Sequence, residues 1–243
     1  GELTRIPAQR RAGRPAHARA LRPRLTPAAA MEQQVVALQA QVKEMRAALQ
    51  VRKANYDESL DTIWMLLATM LVVFMHSGFS LLEAGSVRFK NTQNILGKNL
   101  FVVTVGFLCW YGLGYPLALG IVDKPNEFMG GTGFFMDGFM DDRKTFRIWL
   151  FQGAFCATGG TIVSGAMAER TKLRGFGAFT VLMTTIIYPA VVYWVWSGKG
   201  WLNDGNGKSK IGPAFLDFAG SGVVHLVGGV AAIIGSLLVG PRK

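Results

Sequence analysis

Five apolar runs divide most of the chain, at about residues 62 to 84, 99 to 120, 146 to 167, 176 to 197 and 217 to 240. A helix rises about 1.5 Å per residue, so some 20 apolar residues cross a hydrocarbon core about 30 Å thick, and every run reaches that length. Backbone inside hydrocarbon must satisfy its own hydrogen bonds, which leaves helices or a closed barrel. Runs of this length, with no strict alternation, specify an all-α polytopic membrane protein with five transmembrane helices. The composition agrees: 50% of residues are hydrophobic, and glycine (30) and phenylalanine (16) are abundant.

The connectors set an orientation. "RFKNTQNILGK", "ERTKLR" and the final "GPRK" carry closely spaced Lys and Arg, whereas the 121 to 145 and 198 to 213 connectors are richer in Gly, Asn and Asp. By the positive-inside tendency the first set is cytoplasmic, and the residues before the first run lie outside. Ahead of the runs, residues 1 to 30 hold seven arginines, one acid and four prolines without apolar periodicity. They read as a disordered tail, a targeting segment, or translated sequence upstream of Met31. Much of the net charge of +11 belongs to this tail and says little about nucleic acid, which is not an expected partner. Residues 31 to 58 form a short amphipathic helix, with Val35, Leu38, Val42, Met45 and Leu49 on one seam, and 59 to 243 form the membrane domain. Cys109 and Cys156 lie inside apolar runs and read as small buried hydrophobes, not as a disulfide or metal site. With no metal-ligand cluster or paired carboxylates in the runs, no metal, cofactor or enzymatic chemistry is expected.

His225 is the residue least suited to its surroundings, in "LDFAGSGVVHLVGGVAAIIGSLLVG". On a straight helix counted from Asp217 it lies eight residues in, about 12 Å deep, where an imidazole needs a partner or a cavity. Ala219, Gly222, Gly229, Ala232 and Gly235 give the same run a stripe of small residues, which places His225 in a packed bundle. Phe155 comes at similar depth in the third run, while Trp196 and Asp217 meet at the outer side. An aromatic and a carboxylate at a mouth, with a Phe and a His below, suit a small cation, because aromatic faces attract cations more strongly when partly desolvated. Taken singly, Trp196 fits an interfacial anchor, Phe155 core packing and Asp217 a helix cap. His76 in "FMHSGF" reads as an ordinary interhelical hydrogen bond, and Pro116 and Pro189 as tolerated kinks.

The stretches "LDFAGSGVVHLVGG", "LLEAGSVRFKNTQNILGKN", "FQGAFCATGGTIVSGAMAER" and "VYWVWSGKGW" resemble the ammonium transporter family, closest to its plant and algal type, over roughly residues 61 to 243. The resemblance implies an eleven-helix transporter built from two inverted five-span repeats, a homotrimer when complete, with one pore per subunit. It assigns Trp196 to an outer ammonium-recruitment site supported by Asp217, Phe155 to a gate of two stacked phenylalanines, and His225 to the first of a pair of pore histidines. This chain matches the first repeat, so the second histidine, the second gating phenylalanine and the hydroxyl of the recruitment site are expected elsewhere. "SGKGWLNDGNGKSKIGPAF" is longer and more basic than the simplest members carry between Trp196 and Asp217.

The implied function is transport of ammonium and ammonia through an apolar pore in a lipid bilayer. The plasma membrane is the expected location, or an organellar membrane if the arginine tail is a targeting signal. Ammonium and potassium share size and charge, so selectivity must use the directed N–H donors and the removable proton of ammonium. The alternative from another class is an ammonium-sensing membrane domain of a signalling protein, whose 31 to 55 helix recruits a partner.

Overall fold

Neither proline nor glycine occurs between Ala28 and Ser77, so nothing in that stretch stops a helix. The computed structural model, which describes residues 26–120, 126, 128–138 and 142–242, accordingly carries one helix, α1, over Pro27–Ser86. The expected 31 to 58 helix is helical throughout but does not end at 58, because no breaker separates it from the first apolar run. The tail expected over residues 1 to 30 lies outside the described residues as far as residue 25, and Pro27 to Ala30 form the first turn of α1. Two compact units divide the chain, Gly1–Tyr56 and Asp57–Lys243. In the first, the seam residues Val35, Leu38, Val42, Met45 and Leu49 are all exposed.

The second unit is a helical bundle. α2 (Thr92–Cys109) passes through a π-helical turn, Trp110–Gly114, into α3 (Tyr115–Leu119). α5 (Leu173–Leu182) does the same through Met183–Ile187 into α6 (Tyr188–Trp196). Each π turn ends two residues before a proline, Pro116 and Pro189. A proline ring collides with the carbonyl four residues back and offers that carbonyl no N–H, and a wider turn relieves both faults without breaking the span. A third π turn, Ser221–Leu226, opens α7 (Val227–Val239).

α4 (Arg143–Ala166) sits at the centre, capped by Asp142, whose carboxylate accepts from the Thr145 hydroxyl and from the amides of Lys144 and Thr145 at 3.1 and 3.2 Å. Those bonds hold the Asp142 carboxyl below the usual carboxylate range. At 24 residues α4 rises about 36 Å, enough to span, yet only α1, α2–α3, α5–α6 and α7 with its π turn are both long and apolar enough among the described residues. The difference lies in its buried face of Gly153, Ala154, Ala157, Thr158, Gly159 and Gly160, small groups that admit neighbouring helices closely.

Side-chain ties fix the bundle. Lys98 donates to the Thr171 carbonyl at 2.8 Å, and Trp110 to the Trp149 carbonyl at 3.1 Å. Arg170 reaches the Gly240 carbonyl at 3.2 Å, which anchors the end of α7 to the turn after α4. His76 is buried, and its Nε2 lies 3.3 Å from the Thr158 hydroxyl, the interhelical contact expected of it.

Candidate functional site

Two residues in left-handed backbone, Ala219 (φ 52°) and Gly220 (φ 77°), stand between Asp217 and the helical turn that begins at Ser221. The straight helix assumed from Asp217 therefore does not exist. His225 lies four residues into helix, not eight, and its amide donates to the Gly220 carbonyl at 3.0 Å. The reversal lets the Asp217 carboxylate fold back over the new helix end. Oδ1 accepts from the Gly222 amide at 2.6 Å, which makes Asp217 the cap that its position suggested.

The other carboxylate oxygen does something a cap does not require. Oδ2 accepts the indole N–H of Trp196 at 2.9 Å, across the whole loop from Ser197 to Leu216. That loop folds back on itself instead of separating the two residues: Leu202 donates to the Trp194 carbonyl and Phe215 to that of Leu202. Phe155 meets the same indole edge to face, with ring centroids 6.1 Å apart, and Phe151 packs on Phe155 at 4.8 Å. Trp196, Asp217 and Phe155 are each half-buried, and the structure brings all three together. Phe151 was not anticipated; its signal was its place one turn before Phe155 on α4.

His225 lies on the first turns beyond this cluster, next to the buried Val223 and Val224. Its side chain is exposed and makes no hydrogen bond among the described residues. It is thus not enclosed by the bundle that the small-residue stripe implied. The stripe itself runs differently, since its phase starts at Ser221 and not at Asp217. A Cβ on Gly228 would stand 2.9 Å from Ile162, and one on Gly235 3.3 Å from Met167, whereas one on Gly229 would meet nothing within 4 Å.

A second polar cluster joins α1, α2 and α4 and was also not anticipated. Glu83 is 6% exposed and accepts from Asn99 at 2.6 Å and from the Ser164 hydroxyl; Thr161 donates to Asn99 Oδ1 at 2.7 Å. Its sequence signal was one acid inside the last turn of the first apolar run.

The model of the Ammonium Transporter Family matches residues 63–243. Ammonium transporter 3 of Dictyostelium discoideum is 44% identical over 183 residues, 75% of this chain and 39% of that protein. Ammonium transporter Amt2 of Archaeoglobus fulgidus is 40% identical over 192 residues, 78% of this chain and 40% of that protein. Among solved structures, a Sensor Amt Protein superposes with a TM-score of 0.67 at 31% identity, covering 74% of this chain and 44% of that one. Candida albicans Mep2 gives 0.61 at 29%, covering 74% and 39%. The chain spans about two-fifths of the length of the curated relatives it matches.

Proposed function

The chain belongs to the ammonium transporter family, whose members are multi-pass membrane transporters, and on that premise we propose that it supplies one wall of an ammonium-conducting pore. The observation that carries this reading is the Trp196–Asp217 hydrogen bond set directly over the Phe155 ring. An indole face attracts a cation, and holding the indole N–H on a carboxylate fixes the ring and adds negative charge behind it. Phe155 and Phe151 then close the way to anything hydrated. Past them a bare ion would cost several kcal/mol, so ammonium passes its proton to water on the outer side of the rings and ammonia continues along His225.

In this reading the five apolar runs, α4 among them, are five spans. They form the first of two inverted repeats in an eleven-span subunit of a homotrimer, with Trp196 on the outer face and the Lys- and Arg-rich turns inside. The exposed His225 faces the second repeat, and the protein resides in the plasma membrane. The test is ion flux through the complete protein in proteoliposomes. Ammonium should cross and potassium should not; equal passage of the two, or of neither, would overturn the proposal.

One observation favours a second reading, ammonium sensing: the likeness to the solved Sensor Amt Protein. A sensor would bind ammonium at Trp196 without sustained flux, so the same measurement separates the two.

A further inference from the structure

Phe155 and Ile162 are seven residues apart on α4, two turns along one face, and Ile162 lies against the backbone of Gly228, three residues past His225 on α7. Beyond Ile162 opens a cavity of about 230 Å³, lined by Phe79, Leu82, Glu83, Gly165 and Arg242 together with Ile162. Along α4, then, Phe155 beside Trp196, Ile162 against α7 and the cavity with the buried Glu83 carboxylate follow in that order.

No cation hydrogen-bonds that carboxylate among the described residues, and Lys98 attracts it only from a distance. Its donors are uncharged: Asn99, whose amide is oriented by Thr161 on Oδ1 and by the Ile95 carbonyl on Nδ2, Ser164, and the Gly165 backbone amide. Ser164 has a single hydroxyl proton and also lies 2.7 Å from the Thr161 carbonyl, so even this donor is shared. A carboxylate offers about four lone-pair sites, and these three donors leave at least one open. Lys98, the next residue to Asn99, directs its ammonium to the Thr171 carbonyl. Arg242 is exposed at the cavity rim and makes no hydrogen bond to Glu83 among the described residues. A buried carboxylate without a hydrogen-bonded cation is costly, and where ammonia leaving the dry section regains a proton from water on the inner side, one that faces a cavity is held ready for the resulting cation.

We propose that Glu83 and the cavity before it form a binding site for an ammonium-class cation at the inner end of the path. The site rests on the conduction reading above and deepens it. The cation donates N–H to a free lone pair of Glu83, with the Phe79 ring among the walls.

Ammonium titrations from each face of oriented membrane vesicles holding the complete protein test this. Glu83→Gln keeps the shape and removes the charge. It should raise the half-saturating ammonium concentration at the inner face by about tenfold, the weight of one charge-assisted hydrogen bond, and leave the outer value unchanged. Glu83→Asp should fall between. An unchanged inner value, or equal shifts at both faces, overturns the site.

The wild-type protein gives a readout independent of any variant. A hydrophobic carbodiimide should label Glu83, as seen by peptide mass spectrometry, and ammonium should slow the labelling where sodium at equal ionic strength does not. No labelling, or labelling that ammonium leaves unchanged, overturns the site. Failure of wild-type flux with ammonium protection intact would instead defeat the conduction reading alone.

Discussion

In the proposed pore Trp196 and His225 contribute through different physics, and their substitutions should separate accordingly. There Trp196 would offer a ring face to a partly dehydrated cation, a contact worth about 0.5 to 2 kcal/mol. Trp196→Leu should therefore raise the half-saturating ammonium concentration by about twofold to thirtyfold and leave the maximal rate near wild type. Uptake curves that superimpose at every concentration would leave Trp196 as an anchor for the Asp217 carboxylate and no more. His225 has an exposed imidazole without a hydrogen bond among the described residues, so little of the fold depends on it. His225→Ala should reach the membrane at near-normal levels while ammonium flux per folded molecule falls or potassium leaks through. A variant that is poorly folded, yet selective in whatever fraction survives, would make His225 a packing residue.

At the scale of elements, the close approach of α4 and α7 rests on Gly228, where a Cβ would press on Ile162 at 2.9 Å and on the Gly159 carbonyl at 3.1 Å. Gly228→Ala should cost about 1 to 3 kcal/mol through overpacking. Gly229→Ala, one residue on and open to space, should be neutral or stabilising by up to about 1 kcal/mol, since alanine loses less backbone entropy in a helix. Thermal unfolding of the two variants in detergent measures the contrast, and equal midpoints would show that the helices can part at no cost. The pair also marks how far sequence reaches. Apolar length located the helices, and residue type found Trp196, Phe155, Asp217 and His225, three of which the fold joins. The phase of α7 was hidden because two left-handed residues, Ala219 and Gly220, restart the helix, and alanine in that conformation gives no warning. Glu83 stayed illegible for another reason: its partners Asn99 and Ser164 lie 16 and 81 residues away, and no local pattern pairs them.

Across the whole molecule, turns far apart in sequence are latched together at the end away from Trp196. Glu169, left-handed at φ 59°, accepts from the Arg88 amide at 2.9 Å, from Arg88 Nε at 3.0 Å and from Asn91 at 2.6 Å. These bonds, that from Asn91 foremost, bring its carboxyl down to about 2 from an ordinary 4.5. A group depressed in this way stabilises the fold above its unfolded value, and the contribution disappears as pH falls from about 4.5 toward 2. The wild type should thus unfold at higher temperature than Glu169→Gln at pH 7, with the gap narrowing over that window; a gap independent of pH would mean that the charge is immaterial. The opposite side of the bundle is unlatched. Beside the exposed His225 and Leu226, α7 presents Val230, Ile233, Ile234, Leu237 and Leu238 to the outside, while its other face is packed on α4. The proposed path along His225 would therefore be walled on one side within this chain, and water or lipid reaching the imidazole would remove the dry section on which the proposed discrimination between ammonia and potassium depends. Residues 31 to 243 reconstituted alone should consequently show no selective ammonium flux, even where α1 to α7 are helical by circular dichroism. Ammonium flux per molecule equal to that of the complete protein would mean that these residues close the pore by themselves, and the proposal of a facing repeat would fall.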